Sequence, residues 1–338
     1  MSLFMYLSIT GENKISIYEI DQDSGSLNWK YDVKTGKGVM PLVVDKSQKY
    51  LYAGLRGEPS VQTFNLNQVT GEIKSLGSTP LEWDTTYMSL DKTGRFLLSA
   101  SYGHGIVGVH EVGTNNIINE QVIDRKRTGK AAHYIQTDDS NQFVFVPHVA
   151  DTNMISQFRF NEQTGELSSN EPSEVLQPLN MGPRHYCHHP SLDILYVDNE
   201  QGNSITTYNF DPGGGTLKAV QTISTLPINF SGENSCAQIH IHPSGRFIYS
   251  SNRGHNSIAC FTIDKASGLL TSTGQVPTEE TPRAFNLDPQ GRFLYAAGQG
   301  TGRLASYRVD QETGGLSPLG VYEVGLSPSW VLVLDLNK

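Results

Sequence analysis

The sequence predicts an all-β protein with the architecture of a seven-bladed β-propeller, and three features carry that prediction. A hairpin motif recurs along the chain at intervals of 46 to 53 residues. Polar turns of the form D-x-x-[ST]-G recur behind these hairpins. Segments of twelve or more residues with helical periodicity are missing from the sequence. Four short strands in each interval of this length are typical of propeller blades.

Each hairpin consists of a short apolar strand, an Asp or His, a turn, and an aromatic-rich apolar strand. Apolar alternation joined by tight polar turns is typical of antiparallel strands. The six copies are VVDKSQKYLYAG (43–54), SLDKTGRFLLSA (89–100), QTDDSNQFVFVP (136–147), CHHPSLDILYVD (187–198), HIHPSGRFIYSS (240–251) and NLDPQGRFLYAA (286–297).

The two ends of the chain supply the seventh blade. ISIYEIDQDSGSL (15–27) repeats the third strand of a blade with its turn, and SPSWVLVLDL (327–336) has the pattern of a first strand without a hairpin. We therefore expect four-stranded antiparallel blades, with N- and C-terminal strands sharing one blade. This sharing would close the ring and leave no open sheet edge. Residues 1–338 are then expected to form a single domain.

Composition and charge narrow the partners and the compartment. The formal net charge of −9 argues against nucleic acid or an anionic membrane as a partner. Neither a signal peptide nor an apolar run of membrane-spanning length is recognised in the sequence. Three cysteines without a CxxC pair favour a reducing compartment, so we expect a cytoplasmic protein. Monomer and homodimer both remain open.

Polar residues gather at one end of the first two strands when each blade is numbered from its Asp or His. Arg184 lies five residues before His189 and Glu200 lies eleven after it, which predicts direct cross-strand neighbours. Since the first strand of a blade faces the central channel, such positions are expected to ring one mouth of it. The equivalent or adjacent positions of the other blades include Arg56, His133, Gln238, Arg253, Arg283 and Gln299.

Two interpretations of Arg184 and Glu200 remain open at this point. They form a structural cross-strand ion pair, or they belong to a positive well suited to a phosphate or carboxylate ligand. His133 is likewise either a satisfied channel histidine or, together with Glu200, a group able to act as a base near neutral pH. The arginines at matching places that favour a binding well are Arg56, Arg253 and Arg283.

Other motifs carry less weight. His185, Cys187 and His189 share one strand face and resemble metal ligands, but His189 and His242 occupy the turn position that Asp takes in other blades. The glycine-rich GQGTG (298–302) runs from strand to strand and lacks the helix N-terminus of a phosphate loop. We therefore expect no metal and no other cofactor.

The motifs also carry a resemblance to a known family. GPRHYCHHPSLDILYVDNEQGNSI (182–205), HIHPSGRFIYSSNRGHNSI (240–258) and TPRAFNLDPQGRFLYAAGQ (281–299) resemble the propeller-type 6-phosphogluconolactonase (lactonase) family of bacteria. The resemblance extends over essentially the whole chain. The family also includes a fungal 3-carboxy-cis,cis-muconate cyclase, and the resemblance implies a site of one His, two Arg and one Glu at the channel mouth. The matching positions are His133, Arg184, Glu200 and Arg253.

The resemblance implies hydrolysis of 6-phosphogluconolactone to 6-phosphogluconate without a metal. Glu200 or His133 would deprotonate water, and Arg184 would polarise the lactone carbonyl or pair with Glu200. The residues expected to bind the phosphorylated sugar are Arg253, Arg283, Gln238, Gln299 and Arg56. Two alternatives stay open: a carboxymuconate-type lactonising enzyme, and a non-catalytic propeller that serves as a binding platform.

Overall fold

The computed structural model describes residues 3–336, which fold into seven four-stranded antiparallel sheets. The prediction of an all-β, seven-bladed β-propeller is confirmed, with each sheet as one blade. In chain order the strands are β1 (Leu3–Ile9), β2 (Lys14–Ile20), β3 (Leu27–Lys34), β4 (Val39–Val44), β5 (Tyr50–Leu55), β6 (Ser60–Leu66), β7 (Ile73–Pro80), β8 (Tyr87–Leu90), β9 (Phe96–Ser101), β10 (Ile106–Val112), β11 (Ile118–Arg127), β12 (Gln136–Thr137), β13 (Phe143–His148), β14 (Met154–Phe160), β15 (Leu167–Leu176), β16 (Pro183–His188), β17 (Ile194–Asn199), β18 (Ser204–Asp211), β19 (Thr216–Ser224), β20 (Ser235–Ile241), β21 (Phe247–Arg253), β22 (Ser257–Ile263), β23 (Leu270–Pro277), β24 (Pro282–Leu287), β25 (Phe293–Gly298), β26 (Arg303–Val309), β27 (Leu316–Glu323) and β28 (Pro328–Asp335).

One blade is built from both ends of the chain. Its strand order is β28-β1-β2-β3, whereas the other six blades each take four consecutive strands. Leu3 pairs with Asp335 and Ser8 pairs with Trp330 in the antiparallel ladder between β1 and β28. The predicted shared blade is confirmed, and the pairing covers an edge of β1 that would otherwise be open to other strands.

The described residues form two compact units. The first comprises residues 3–33, 184–210 and 217–336, with the shared blade, β20–β23, β24–β27 and most of β16–β19. The second comprises residues 34–183 and 211–216, with the blades β4–β7, β8–β11 and β12–β15. A single domain over residues 1–338 stays a prediction, and its first and last two residues lie outside the described range.

Helical structure is limited to short turns. The 3₁₀ helices Thr10–Glu12 and Ala150–Thr152 follow β1 and β13. Each ends at an asparagine in the left-handed conformation, Asn13 with φ of 53° and Asn153 with φ of 44°, which Asn tolerates better than most residues. Between residues 3 and 336, no helix has the length and apolar character needed to cross a membrane.

The residue before each hairpin turn holds the turn through its side chain. Asp91 accepts the backbone N–H of Phe96 through Oδ1 at 2.9 Å. His189 takes the same position in its blade, where Nδ1 accepts the N–H of Leu192 at 3.0 Å and Nε2 donates to the carbonyl of Gly245 at 3.0 Å. Side chains that bond to nearby backbone groups favour turns over continued strand. The recurring Asp or His of the sequence motif is thus a structural feature.

Contacts between adjacent blades of the first unit centre on the glycines of the outer turns. The Tyr295 hydroxyl donates to the carbonyl of Gly25 at 2.9 Å, and the Tyr249 hydroxyl donates to that of Gly314 at 2.8 Å. Gly25 has φ of +76°, and the ring of Phe293 occupies the space that a Cβ atom there would need. A hydrophobic cluster fills the rest of this seam. Only glycine satisfies both the backbone conformation and the close approach.

The predicted register between the first two strands of a blade is wrong. In the β20–β21 pair it placed Arg253 opposite Ala237 and His240 opposite Ser250. His240 instead pairs with Tyr249, one residue away, and Arg253 pairs with Ser235, two residues away. The second residue of this offset arises between Cys236 and Ile239, where the register shifts, and β4 and β24 carry comparable irregularities. A bulge adds an unpaired residue to one strand, so every position beyond it moves relative to its partner. The sequence motif contains no sign of this insertion.

Replacing Gly25 with Ala tests the packing of the blade seam. Gly94 offers a matched control, since its φ is +74° but a Cβ atom there meets no described atom within 4 Å. We expect Gly94→Ala to lower the free energy of unfolding by about 1 kcal/mol through backbone strain alone. Gly25→Ala should cost about 1–3 kcal/mol more, because its methyl group overlaps the Phe293 ring. Urea unfolding measures both, and equal losses would contradict the seam contact.

Candidate active site

Arg184, Glu200 and Arg253 form one ion-pair cluster in the first unit. Nε of Arg184 donates to Oε2 of Glu200 at 2.6 Å, and Nη2 of Arg253 lies 3.2 Å from the same oxygen. Nη2 of Arg253 also donates to the backbone carbonyl of Cys236 at 2.6 Å. The predicted contact between Arg184 and Glu200 is present, and an arginine from the next blade joins it.

Strand ends place these three side chains. Arg184 lies in β16, Glu200 directly follows β17, and Arg253 is the last residue of β21. The backbone N–H of Cys236, on β20, donates to the carbonyl of Glu200 at 3.1 Å. This backbone bond joins two blades at the cluster, so the position of the carboxylate is set by both sheets.

Burial and the neighbouring opposite charges shift the pKa values of Arg184 and Glu200 in opposite directions. The Arg184 side chain is 2% exposed and that of Glu200 is 18% exposed. Burial lowers the pKa of Arg184 to about 10, with Glu200 opposing the change and Arg253 adding to it. Burial by itself raises the pKa of Glu200, but the two guanidinium groups outweigh it and hold that pKa below its ordinary value. At neutral pH the three residues carry two positive charges and one negative charge.

Two N–H groups of the cluster have no hydrogen-bond partner within residues 3–336: Nη1 of Arg184 and Nε of Arg253. Leaving a buried donor unsatisfied costs about 1–3 kcal/mol. Guanidinium donors match the oxygens of carboxylates and phosphates in geometry and charge. The cluster is therefore chemically suited to binding an oxyanion.

Sequence reasoning missed Asp198, a fully buried carboxyl group on β17 two residues before Glu200. Its Oδ1 accepts the backbone N–H of His185 at 2.7 Å. Burial raises the pKa of Asp198 to about 7, although Arg184 and the His185 N–H both act to lower it. The signal was present in the hairpin repeat, where an Asp stands at a position that other blades fill with small or apolar residues.

The two predicted glutamines are held by other residues of the first unit. Oε1 of Gln238 accepts the backbone N–H of Phe285 at 3.0 Å, and the Gln238 side chain is buried. Nε2 of Gln299 donates to Oγ of Ser327 at 3.1 Å. These bonds give both glutamines structural roles, and their contact with sugar hydroxyls stays a prediction.

Arg283 lies on β24, and its charge acts on the buried His185 of β16. Burial lowers the pKa of His185 well below its ordinary value, and the charges of Arg184, Arg283 and Arg253 lower it further. Burial likewise lowers the pKa of His240 to about 4. Both imidazoles are therefore neutral at pH 7, and arginines supply the positive charge of this region.

Arg56 and His133 belong to the second unit. Nε of Arg56 donates to Oδ2 of Asp84 at 3.1 Å, and Oδ1 of Asp84 lies 3.2 Å from Nδ1 of His104. The charge of Arg56 is thus balanced by a carboxylate that sequence reasoning also missed. His133 is 4% exposed, and its ring meets that of Tyr102 edge-on at 6.0 Å between centroids. Both residues stay predicted members of the site.

Two of the histidines that resemble metal ligands, His189 and His242, serve the turns. In His242, Nδ1 accepts the N–H of Ser244 at 3.1 Å and Nε2 donates to the carbonyl of Gly291 at 3.0 Å, as in His189. Among the described residues, no group of three or more His, Cys, Asp or Glu side chains is placed to hold a metal ion.

Comparison with known proteins places the chain in a family. It matches the model of a family described as "Lactonase, 7-bladed beta-propeller" over residues 5–333. A 6-phosphogluconolactonase of Pectobacterium carotovorum subsp. carotovorum (strain PC1) is 33% identical over 340 residues, covering 100% of both chains. A 6-phosphogluconolactonase of Yersinia pseudotuberculosis serotype O:3 (strain YPIII) is 30% identical over 333 residues, 98% of both chains.

Solved structures share the fold. A periplasmic gluconolactonase of Pseudomonas aeruginosa has a TM-score of 0.90 at 24% identity, covering 99% of both chains. A protein from Lactobacillus plantarum has a TM-score of 0.89 at 21% identity, covering 99% of this chain and 100% of that chain. The blade count and the family match define the class of the protein, a β-propeller enzyme that opens cyclic esters. The chain belongs to the seven-bladed β-propeller lactonase family, as its motifs indicated.

Replacing Glu200 with Gln tests how much stability the cluster contributes. Removing the carboxylate leaves the buried guanidinium group of Arg184 and the partly buried one of Arg253 without a counter-charge, and we expect a loss of about 3 kcal/mol in the free energy of unfolding. Because the pKa of Glu200 is lowered when folded, its contribution is present above pH 4.5, the ordinary value, and is lost as pH falls. The variant should not show this loss in urea unfolding at graded pH.

The control is Glu312→Gln, the same substitution in a surface pair with Arg246 in which the Glu312 side chain is 86% exposed. We expect it to cost less than about 1 kcal/mol. Equal effects of the two substitutions would mean that the Glu200 cluster contributes no more than a surface ion pair.

Proposed function

We propose that this protein hydrolyses 6-phosphogluconolactone to 6-phosphogluconate. Full-length relatives with 30% and 33% identity are 6-phosphogluconolactonases by name. The observation that carries the proposal is the pair of buried N–H groups, on Arg184 and Arg253, that lack a partner among the described residues. An anionic substrate in an acidic protein needs such a local concentration of positive charge.

The reaction requires a new bond between water oxygen and the lactone carbonyl carbon, followed by cleavage of the bond to the ring oxygen. A proton leaves the attacking water, and the ring oxygen gains a proton to become a hydroxyl group. Negative charge develops on the carbonyl oxygen in between, where fixed donors stabilise it most effectively. In the proposal, Arg184 donates to that oxygen, while Arg253 and Arg283 bind the phosphate.

Glu200 is proposed to orient the arginines. Its Oε2 already interacts with Arg184 and Arg253, and its pKa is below the ordinary range of a glutamate. A carboxylate of low basicity is a weak proton acceptor near neutral pH. Of the two bases that the sequence suggested, His133 is therefore the one retained in the proposal.

The same guanidinium groups suit a carboxylate, so a carboxymuconate-type substrate is the second candidate. Direct assay of both substrate classes distinguishes the two candidates. The proposed compartment is the cytoplasm, supported by three free cysteines, Cys187, Cys236 and Cys260.

Arg253→Ala tests the phosphate assignment. We expect kcat/KM for 6-phosphogluconolactone, measured above its spontaneous hydrolysis, to fall about 10- to 100-fold, as for loss of a charged hydrogen bond. For unphosphorylated gluconolactone we expect less than about a threefold change, since only the phosphate contact is lost. Equal losses with both substrates would show that Arg253 does not select the phosphate.

Arg246→Ala is the matched control for this assay. Arg246 directly precedes β21, the strand that Arg253 ends, and its half-exposed side chain donates to the carbonyls of Gln311 and Glu312. We expect its kinetics to equal those of the wild type with both lactones. A loss equal to that of Arg253→Ala would indicate a general effect of removing an arginine.

His133→Gln tests the base assignment against Glu200→Gln. Loss of a general base lowers kcat by about 10²–10⁴-fold, and we expect that result for His133→Gln. Glu200→Gln, which disturbs the arginines, should mainly raise KM for the phosphorylated lactone. The reverse pattern in steady-state kinetics would assign the base to Glu200.

A further inference from the structure

Asp198 combines full burial with an unsatisfied carboxyl oxygen. Its relative exposure is 0%, and it lies on β17 two residues before Glu200. While Oδ1 accepts the N–H of His185, Oδ2 has no hydrogen-bond partner in the part of the chain that the structure describes. Such a group in a native protein calls for an explanation beyond packing.

The equivalent residue of the next blade shows that the structural role of Asp198 does not depend on its charge. In the next blade, Oγ of Ser251 accepts the N–H of Gln238 at 3.2 Å, the same bond at the same place of the hairpin. The bond to the strand therefore needs only a hydroxyl group, and the second oxygen and charge of Asp198 are additional. This position lies four residues after the first residue of the second hairpin strand. In the other five hairpins it holds Gly54, Ala100, Pro147, Ser251 and Ala297.

Asp198 differs from the titratable groups around it because its charge changes near neutral pH. Burial raises its pKa to about 7, while burial raises the pKa of the Cys187 and Cys236 thiols and lowers that of His185. Those three groups therefore stay uncharged. The titratable and charged groups around Asp198 are Arg184, His185 and Cys187 on β16, Glu200 after its own strand, Cys236 on β20 and Arg253 on β21.

The protonation state of Asp198 changes the net charge around Arg184, Arg253 and Glu200. Arg184, Arg253 and Glu200 sum to one positive charge, which an ionised Asp198 reduces to zero. An oxyanion on the two guanidinium groups is stabilised by the positive state and repelled by a second carboxylate. Anion binding and protonation of Asp198 therefore favour each other, and by linkage each must strengthen the other.

We propose that Asp198 is a positioning residue for the proposed lactone site, a buried proton carrier that takes up a proton when an anion binds Arg184 and Arg253. The proposal rests on the proposed function, because it takes these arginines as the anion site. A protonated Asp198 keeps the guanidinium groups available to the substrate. An ionised one competes with the substrate for them.

Calorimetric titration with 6-phosphogluconate tests the proposal in the whole protein. Repeating the titration at pH 7 in two buffers of different ionisation enthalpy yields the number of protons taken up. We expect the wild type to take up about half a proton per site more than Asp198→Asn or Asp198→Ser. The phosphate of the ligand titrates near pH 6, and its contribution is common to all three proteins.

Affinity supplies the second readout. Between pH 6 and pH 8 the wild-type Kd should rise about tenfold relative to that of Asp198→Asn, because the wild type loses its proton over this range. Asp198→Ser copies the residue of the next blade and keeps the bond to His185, so it separates the charge from the fold. Equal proton uptake and parallel pH profiles in all three proteins would overturn the role of Asp198.

The outcomes of these experiments distinguish failure of the Asp198 proposal from failure of the proposed function. Binding that is weakened by Arg253→Ala but shows no excess proton uptake contradicts only the Asp198 proposal. Absence of 6-phosphogluconate binding to the wild type overturns the proposed site and the inference together. If the Asp198 variants fail to fold, wild-type uptake beyond that explained by the phosphate supports the proposal, and none beyond it refutes the proposal.

Discussion

A single carboxylate oxygen, Oε2 of Glu200, holds the buried guanidinium group of Arg184 and the partly buried one of Arg253 beside each other. Two cations this close repel each other and lose hydration on burial, so the arrangement depends on the carboxylate between them. One negative charge balances only half of the positive charge. What remains within these three residues is an excess of one positive charge with N–H groups already oriented, in a chain whose net charge is −9.

The propeller supplies the rigidity that this arrangement needs. The three residues stand on or directly after strands, and a backbone bond from Cys236 to Glu200 joins the two blades that carry them. The blades of the first unit are in turn fixed by tyrosine hydroxyls on turn glycines and by the hydrophobic clusters of the seams. Groups on rigid elements hold their geometry better than groups on loops, and here the repeat provides the elements.

The fold could be predicted from the sequence because each blade repeats its own turn chemistry and apolar pattern, so six copies support one interpretation. The contact of Arg184 with Glu200 followed from the same arithmetic. The bulge between Cys236 and Ile239 could not be predicted from the repeat, since no motif residue marks it. It changes every strand pairing beyond it. Asp84 was missed because it lies in the segment between β7 and β8, outside the hairpin positions that repeat from blade to blade.

Arg184 and Arg253 are proposed to bind the anionic substrate, and a crystal structure with 6-phosphogluconate would show directly whether they do. We expect a phosphate or carboxylate oxygen of the ligand at about 2.7–2.9 Å from Nη1 of Arg184 or Nε of Arg253. Ligand density elsewhere, with both N–H groups bonded to the protein or to water, would contradict it.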